Sequence, residues 1–274
     1  MHASTVRTLL VRGMLAGLIA GLLAFTVAYV VGEPPVDGAI AVEEAQAAHE
    51  APALSGAHAG HGGTAATEDA AEEEEGFSRS VQSTFGLATG VLVYGVALGG
   101  IAALAFSFAL GRVGRFSPRA TAALVSAAAF TTVYLVPFLK YPATPPAVGN
   151  PDTIGKRTTL FFLMILLSVL LGLAAVIAGR RLAPRLGNWN ATLAAGAGFI
   201  AVTAVAFAVL PANDDAVKPG FPAALLWEFR VASLAVQLVM WAVFAVVFGV
   251  LAQKALAPRA AEETPARVAA PLAG

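Results

Sequence analysis

The chain has no cysteine. Disulfides, thiolate metal sites and cysteine nucleophiles are therefore excluded. It is also short of charge. Only 12% of its residues are charged, about half the share usual in a soluble domain, roughly 25%. The net charge is zero, so the basic excess that marks a nucleic-acid-binding surface is missing. No P-loop is present, and a chain without one does not hydrolyse ATP itself. There is no His-Glu-x-x-His zinc motif and no Gly-x-Ser-x-Gly nucleophile elbow. No catalytic constellation is visible, and the expectation is a protein that is not an enzyme.

Apolar sequence takes the place of charge. Hydrophobic residues make up 58% of the 274 residues, and the mean hydropathy is +0.75. A spanning helix needs about 20 apolar residues at about 1.5 Å each. Six runs meet that length: 9–31, 85–110, 121–139, 159–178, 191–210 and 231–251. None carries His, Asp or Glu in its central turns. That argues against a buried proton relay or a charged metal site at the membrane midplane. The expected fold is an all-α integral membrane protein, a six-helix transmembrane bundle with a disordered acidic and histidine-rich outer loop. Its divisions are a first helix (1–31), an extracytoplasmic loop (32–84), a five-helix core (85–251) and a tail (252–274). The basic start of the first run (Arg7, Arg12) would also suit a signal peptide, but its apolar part exceeds the usual core of roughly 7–15 residues.

Gly13, Gly17 and Gly21 recur every fourth residue, as do Gly86/Gly90 and Gly95/Gly99. That spacing lets a second helix approach closely. Orientation follows from Lys and Arg. One set of connections and ends holds Arg7, Arg12, Arg112, Arg115, Arg119, Arg180, Arg181, Arg185, Lys254, Arg259 and Arg267. The other holds six: Arg79, Lys140, Lys156, Arg157, Lys218 and Arg230. The richer set should face the cytoplasm, which predicts a multi-pass protein of the cell membrane with both termini inside.

Three polar stretches stand out. The first is the outer loop, with eleven acidic residues between positions 33 and 75 and three of the four histidines, His49, His58 and His61. Imidazoles suit divalent Co, Ni, Cu and Zn, and carboxylates add oxygen ligands. His49, His58, His61, Glu72, Glu73, Glu74 and Glu75 are the candidate metal ligands. A solvated acidic loop that only concentrates cations is the competing reading. Its apolar content is low, so disorder or partial helix is expected, with a short helix at 43–49.

The second stretch, 137–157, carries five prolines between two apolar runs. It should be a stiff, non-helical loop. Lys140, Tyr141, Asn150, Asp152 and Arg157 are its candidate functional residues; a plain rigid turn is the alternative. The third begins Phe221-Pro222 and holds Trp227, Glu228, Arg230, Ser233 and Gln237. Pro222 suits the first position of a helix. Arg230, Ser233 and Gln237 share one helical face, either to line a polar path or to hydrogen-bond a neighbouring helix. Lys140, Arg157 and Arg230 are cationic, so a route for a divalent cation past them needs partners such as Asp152 and Glu228.

Together the 9–21 segment, the 136–158 segment and the 221–237 segment resemble the CbtA family of predicted cobalt transporter subunits. The resemblance covers most of the chain in the same order. It implies a subunit for cobalt uptake linked to cobalamin metabolism, with Co²⁺ as the transported ion and no tightly bound cofactor. It further implies a small partner of the CbtB type, with one membrane helix and histidines of its own. A non-transporting membrane scaffold or metal sensor is the alternative function.

Overall fold

The computed structural model describes residues 3–55, 81–146, 148–149, 153–212, 217 and 220–257, without the side chains of 49–55 and 82. The described residues are helical, with no strand among them. Seven α-helices are named here in chain order: α1 Ala3–Val27, α2 Glu33–Ser55, α3 Leu87–Ala109, α4 Pro118–Ala129, α5 Val136–Lys140, α6 Ile154–Val209 and α7 Ala223–Leu256. By length and composition, five helical stretches are apolar enough to cross a membrane.

The core is built on glycine. Gly13 of α1 lies against Gly99 and Ala103 of α3, Gly17 against Gly95, and Gly21 against Val91 and Leu92. Contact numbers fall along α3 as they rise along α1, so the two helices run antiparallel. Without side chains between them, the backbones approach closely. Gly90 has nothing within 4 Å and Gly86 meets only Val81, so only the second of the two α3 glycine pairs packs. A third wall comes from α7. Phe248 meets Phe106 edge-on at 5.1 Å and stacks on Phe244 at 5.1 Å. The start of α4, capped by the Ser117 hydroxyl and opened by Pro118, packs on Gly249 through Arg119 and Ala122.

Prolines do not break the helices where the sequence predicts a break. Wide π-turns at Ala28–Gly32 and Phe130–Leu135 precede Pro34 and Pro137. A proline ring clashes with the carbonyl four residues back; a turn closed five residues back moves that carbonyl aside. Two expectations are corrected as a result. Residues 137–140 are helical, because Pro137 occupies a first-turn position of α5. Residues 154–157 already belong to α6.

The disordered loop expected from residue 32 is likewise corrected over its first part, where α2 continues the direction of α1. Alanine is the strongest helix former. The apolar side of α2 also has a seat: Ala39 and Val42 pack with Val148, Phe221, Leu225 and Leu226, and Gly38 lies beneath Leu225. The short helix expected at 43–49 lies inside α2. Val81 is already helical, ahead of the expected boundary at 85, and α7 extends past 251 to Leu256. Pro222 caps α7 from outside, with extended ψ of 121°.

The fourth and fifth apolar runs lie on one 56-residue helix, α6, broken at Gly187. Its φ of 76° is left-handed, a conformation glycine adopts at little cost. Pro184 stands just ahead of it. The chain folds back there: a Cβ on Gly179 would stand 3.3 Å from the Ala195 methyl. At the far end Met164 is buried in a cluster that includes Phe199, Phe207 and Leu210. The two arms therefore form an antiparallel hairpin. It joins the other helices through residues 130–140, where the Ser168 hydroxyl donates to the Thr132 carbonyl and Gly172 faces the Thr132 methyl.

Candidate functional site

These contacts sort the described charges. Arg12 donates to the Leu251 carbonyl at 2.6 Å, and Arg119 lies beside Gly249. The Gly187 turn carries Arg180, Arg181 and Arg185 toward that same end. The opposite end gathers α2, residues 141–149, the end of α6 and the start of α7. It holds Lys140, Lys156, Arg157 and Arg230, with the exposed carboxylates Asp37, Glu43 and Glu44 on α2.

Lys140 sits at the last turn of α5 and reaches the end of α6. Its Nζ donates to the carbonyls of Phe207 (2.7 Å) and Leu210 (3.0 Å). A helix C-terminus presents unsatisfied carbonyls and a partial negative charge, so an ammonium group there answers both. The Tyr141 hydroxyl donates to the Pro211 carbonyl at 2.8 Å, and the Lys140 Nζ lies 5.7 Å from the Tyr141 ring centre. Burial raises the Tyr141 phenol above its ordinary value. A group whose folded pKa is raised contributes stability below its unfolded value near 10 and loses it as pH climbs through the folded value. Thermal unfolding followed above pH 10 should therefore show a destabilisation that Tyr141→Phe lacks.

Arg157, in the first turn of α6, lies against Gly149. That glycine has φ of +110°, and a Cβ added there would stand 2.5 Å from the guanidinium Nη1. Gly149→Ala should thus strain the backbone by about 1–3 kcal/mol and displace Arg157, read as a lower thermal midpoint. Under the loop lies a cavity of about 490 Å³. Tyr141, Thr144, Arg157 and Thr158 line its polar part, and Phe138 and Phe161 are among its apolar walls.

On α7 the residues of the predicted stripe have different surroundings. Arg230 donates from Nε to the Ala143 carbonyl at 3.3 Å, bracing the loop. Ser233 donates to its own helix at Phe229. Gln237 lies by Tyr94 of α3 with its side-chain carbonyl buried and without a hydrogen-bond partner among the described residues, and Tyr134 lies near Tyr94. Trp227 is 68% exposed, as suits an aromatic at the membrane interface, and Glu228 is exposed. The structure thus brings Lys140, Tyr141, Arg157 and Arg230 to one loop. Among the described residues, carbonyl oxygens hold Lys140 and Arg230. Tyr94 and Tyr134 were missed in the sequence, where a lone tyrosine in an apolar run has no distinguishing pattern.

Asn150, Asp152, His58, His61, Glu72, Glu73, Glu74 and Glu75 lie outside the described residues. His49 is on α2, with its side chain undescribed. Among the described residues, no group of three or more His, Asp or Glu side chains is placed to hold a metal ion.

No curated protein and no solved structure matches the chain. A protein-family model does, over residues 6–253, and its description is "Probable cobalt transporter subunit (CbtA)". That span runs from the start of α1 almost to the end of α7, taking in the glycine-packed pair, the proline loop and the hairpin. The chain belongs to the CbtA family, described as a probable cobalt transporter subunit.

Proposed function

We propose that this protein is the membrane subunit of a Co²⁺ uptake transporter linked to cobalamin metabolism, without an ATPase of its own. A small single-span subunit of the CbtB type is its partner. The observation that carries the reading is the family match over nearly the whole apolar part of the chain. Both arms of the α6 hairpin cross the membrane in this reading, giving six crossings with both termini in the cytoplasm. The gathering of arginines at one end supports that orientation. The proline-loop end then faces outward.

His49, His58, His61 and the 72–75 glutamates collect Co²⁺ outside. Lys140, Tyr141 and Arg230 act as struts that hold the mouth in shape. With no carboxylate or imidazole in the central turns, the ion retains oxygen ligands such as water as it crosses, since stripping it bare there is costly.

Radiocobalt uptake in cells carrying the gene and its partner tests the reading. The His49/His58/His61 triple alanine variant should take up several-fold less cobalt at low external concentration and recover at high concentration. Unchanged uptake would remove the collecting role. Metal-limited growth of a deletion strain, compared across Co, Ni and Zn, tests the cargo. No cobalt-specific defect would favour a sensor or scaffold instead.

A further inference from the structure

The cavity beneath the proline loop is shaped for something other than the cargo. Its described lining has no histidine and no carboxylate, so it offers a divalent cation none of its usual charged ligands. Its volume of about 490 Å³ is within the range of ligand pockets, about 300–1,000 Å³. Its chemistry changes with depth. Arg157, Thr144 and Thr158 lie at the loop end, where α6 begins. Phe138, Leu160 and Phe161 line it up to a turn farther from the loop along α5 and α6. On its flank Ile154 is 54% and Phe162 63% exposed, so the cavity opens sideways among apolar side chains that face the bilayer.

We propose that this cavity is a phospholipid site. The phosphodiester takes hydrogen bonds from Arg157, Thr144 and Thr158, and an acyl chain lies along Phe138, Leu160 and Phe161. The order of charged head then hydrocarbon along the ligand matches the order of the walls. A soluble anion would leave the deep aromatic wall unused, and an apolar helix would bury the arginine. Arg157 has interactions of its own, and a guanidinium with five N–H donors can serve the loop and a phosphate together. The position gives the lipid a role. The α6 hairpin makes its main contacts with the other helices along residues 130–140, and the cavity lies at that junction. A lipid there fastens the hairpin to the rest of the bundle.

The proposal rests on the chain being embedded in a membrane, but not on cobalt transport, and its test measures no uptake. The full chain is purified in mild detergent and its bound phospholipid counted by native mass spectrometry. It is then stripped of lipid and melted with or without added phosphatidylglycerol. Wild type should retain a phospholipid, melt lower once stripped and recover with phosphatidylglycerol, whereas inorganic phosphate should do nothing. Arg157→Gln should weaken retention about tenfold, the loss expected for one charge-assisted hydrogen bond. Thr158→Trp, which fills the mouth, should lose the lipid yet melt no lower than stripped wild type. Val205→Trp, on the outer side of the second arm, should retain it. The proposal is overturned by unchanged retention in both cavity variants, equal loss in Val205→Trp, or recovery with phosphate alone.

Discussion

Gly17→Leu is expected to leave no folded protein in the membrane fraction. A Cβ on Gly17 already collides with the Gly95 backbone carbonyl and lies 3.1 Å from the Gly99 Cα. The colliding atoms are backbone, so no rotamer change relieves them. A leucine must push α1 and α3 apart along the whole seam from Gly13 to Gly21. Overpacking a core side chain costs about 1–3 kcal/mol; parting two backbones lies at or beyond the upper end. The same separation loosens α7, whose Met240, Trp241 and Phe244 share a core cluster with Ala16 and Ala20. Gly90→Leu is the matched control, since nothing lies within 4 Å of Gly90, and it should accumulate normally. Protein yield and size-exclusion profile in detergent separate the two. Normal yield of Gly17→Leu would mean that the glycine seam does not set the helix spacing.

Lys140→Met is expected to produce the second largest effect, the release of the hairpin end from the loop. It removes both donors to the Phe207 and Leu210 carbonyls. A hydrogen bond from a charged group contributes about 1.5–3 kcal/mol. Methionine preserves most of the apolar stem, so packing changes little. Tyr141→Phe loses one neutral hydrogen bond to Pro211, and about 1 kcal/mol is expected. The chain has no native cysteine, so labelling reports a single introduced site. A cysteine in place of Thr144 should react several-fold faster with a water-soluble maleimide in Lys140→Met than in the parent, with Tyr141→Phe between them. Equal rates in all three would show that the ammonium does not hold the loop.

Much of the fold was legible because bilayer physics leaves few options. Backbone groups in hydrocarbon must bond within their own helix, so a long apolar run announces its own structure. The glycine spacing of α1 announced a close contact for the same local reason. The continuation of α1 into α2 was not legible. The sequence there is acidic and poor in large apolar residues, and only the seat on Phe221 and Leu225 explains its docking. Nor did prolines mark helix ends reliably. Whether Pro137 ends a helix depends on the turn before it, and the Phe130–Leu135 π-turn has no sequence signature of its own.

The candidate site divides the same way. Lys140, Tyr141 and Arg230 stood out as polar residues at apolar boundaries. Their partners did not, because a backbone carbonyl is the same atom at every position, and proximity alone selects Phe207, Leu210, Pro211 and Ala143.

Composition and periodicity determined an apolar helical chain, the order of Lys and Arg determined its charge asymmetry, and three polar-flanked segments carried the family resemblance, since each depends on residue identity along the chain. Tertiary structure decided that Gly95 and Gly99, not Gly86 and Gly90, meet α1. It decided that two apolar runs form one hairpin turned at Gly187, and that Lys140 and Arg230 bind carbonyls. Each of these depends on which distant segments approach one another, and that is a property of packing.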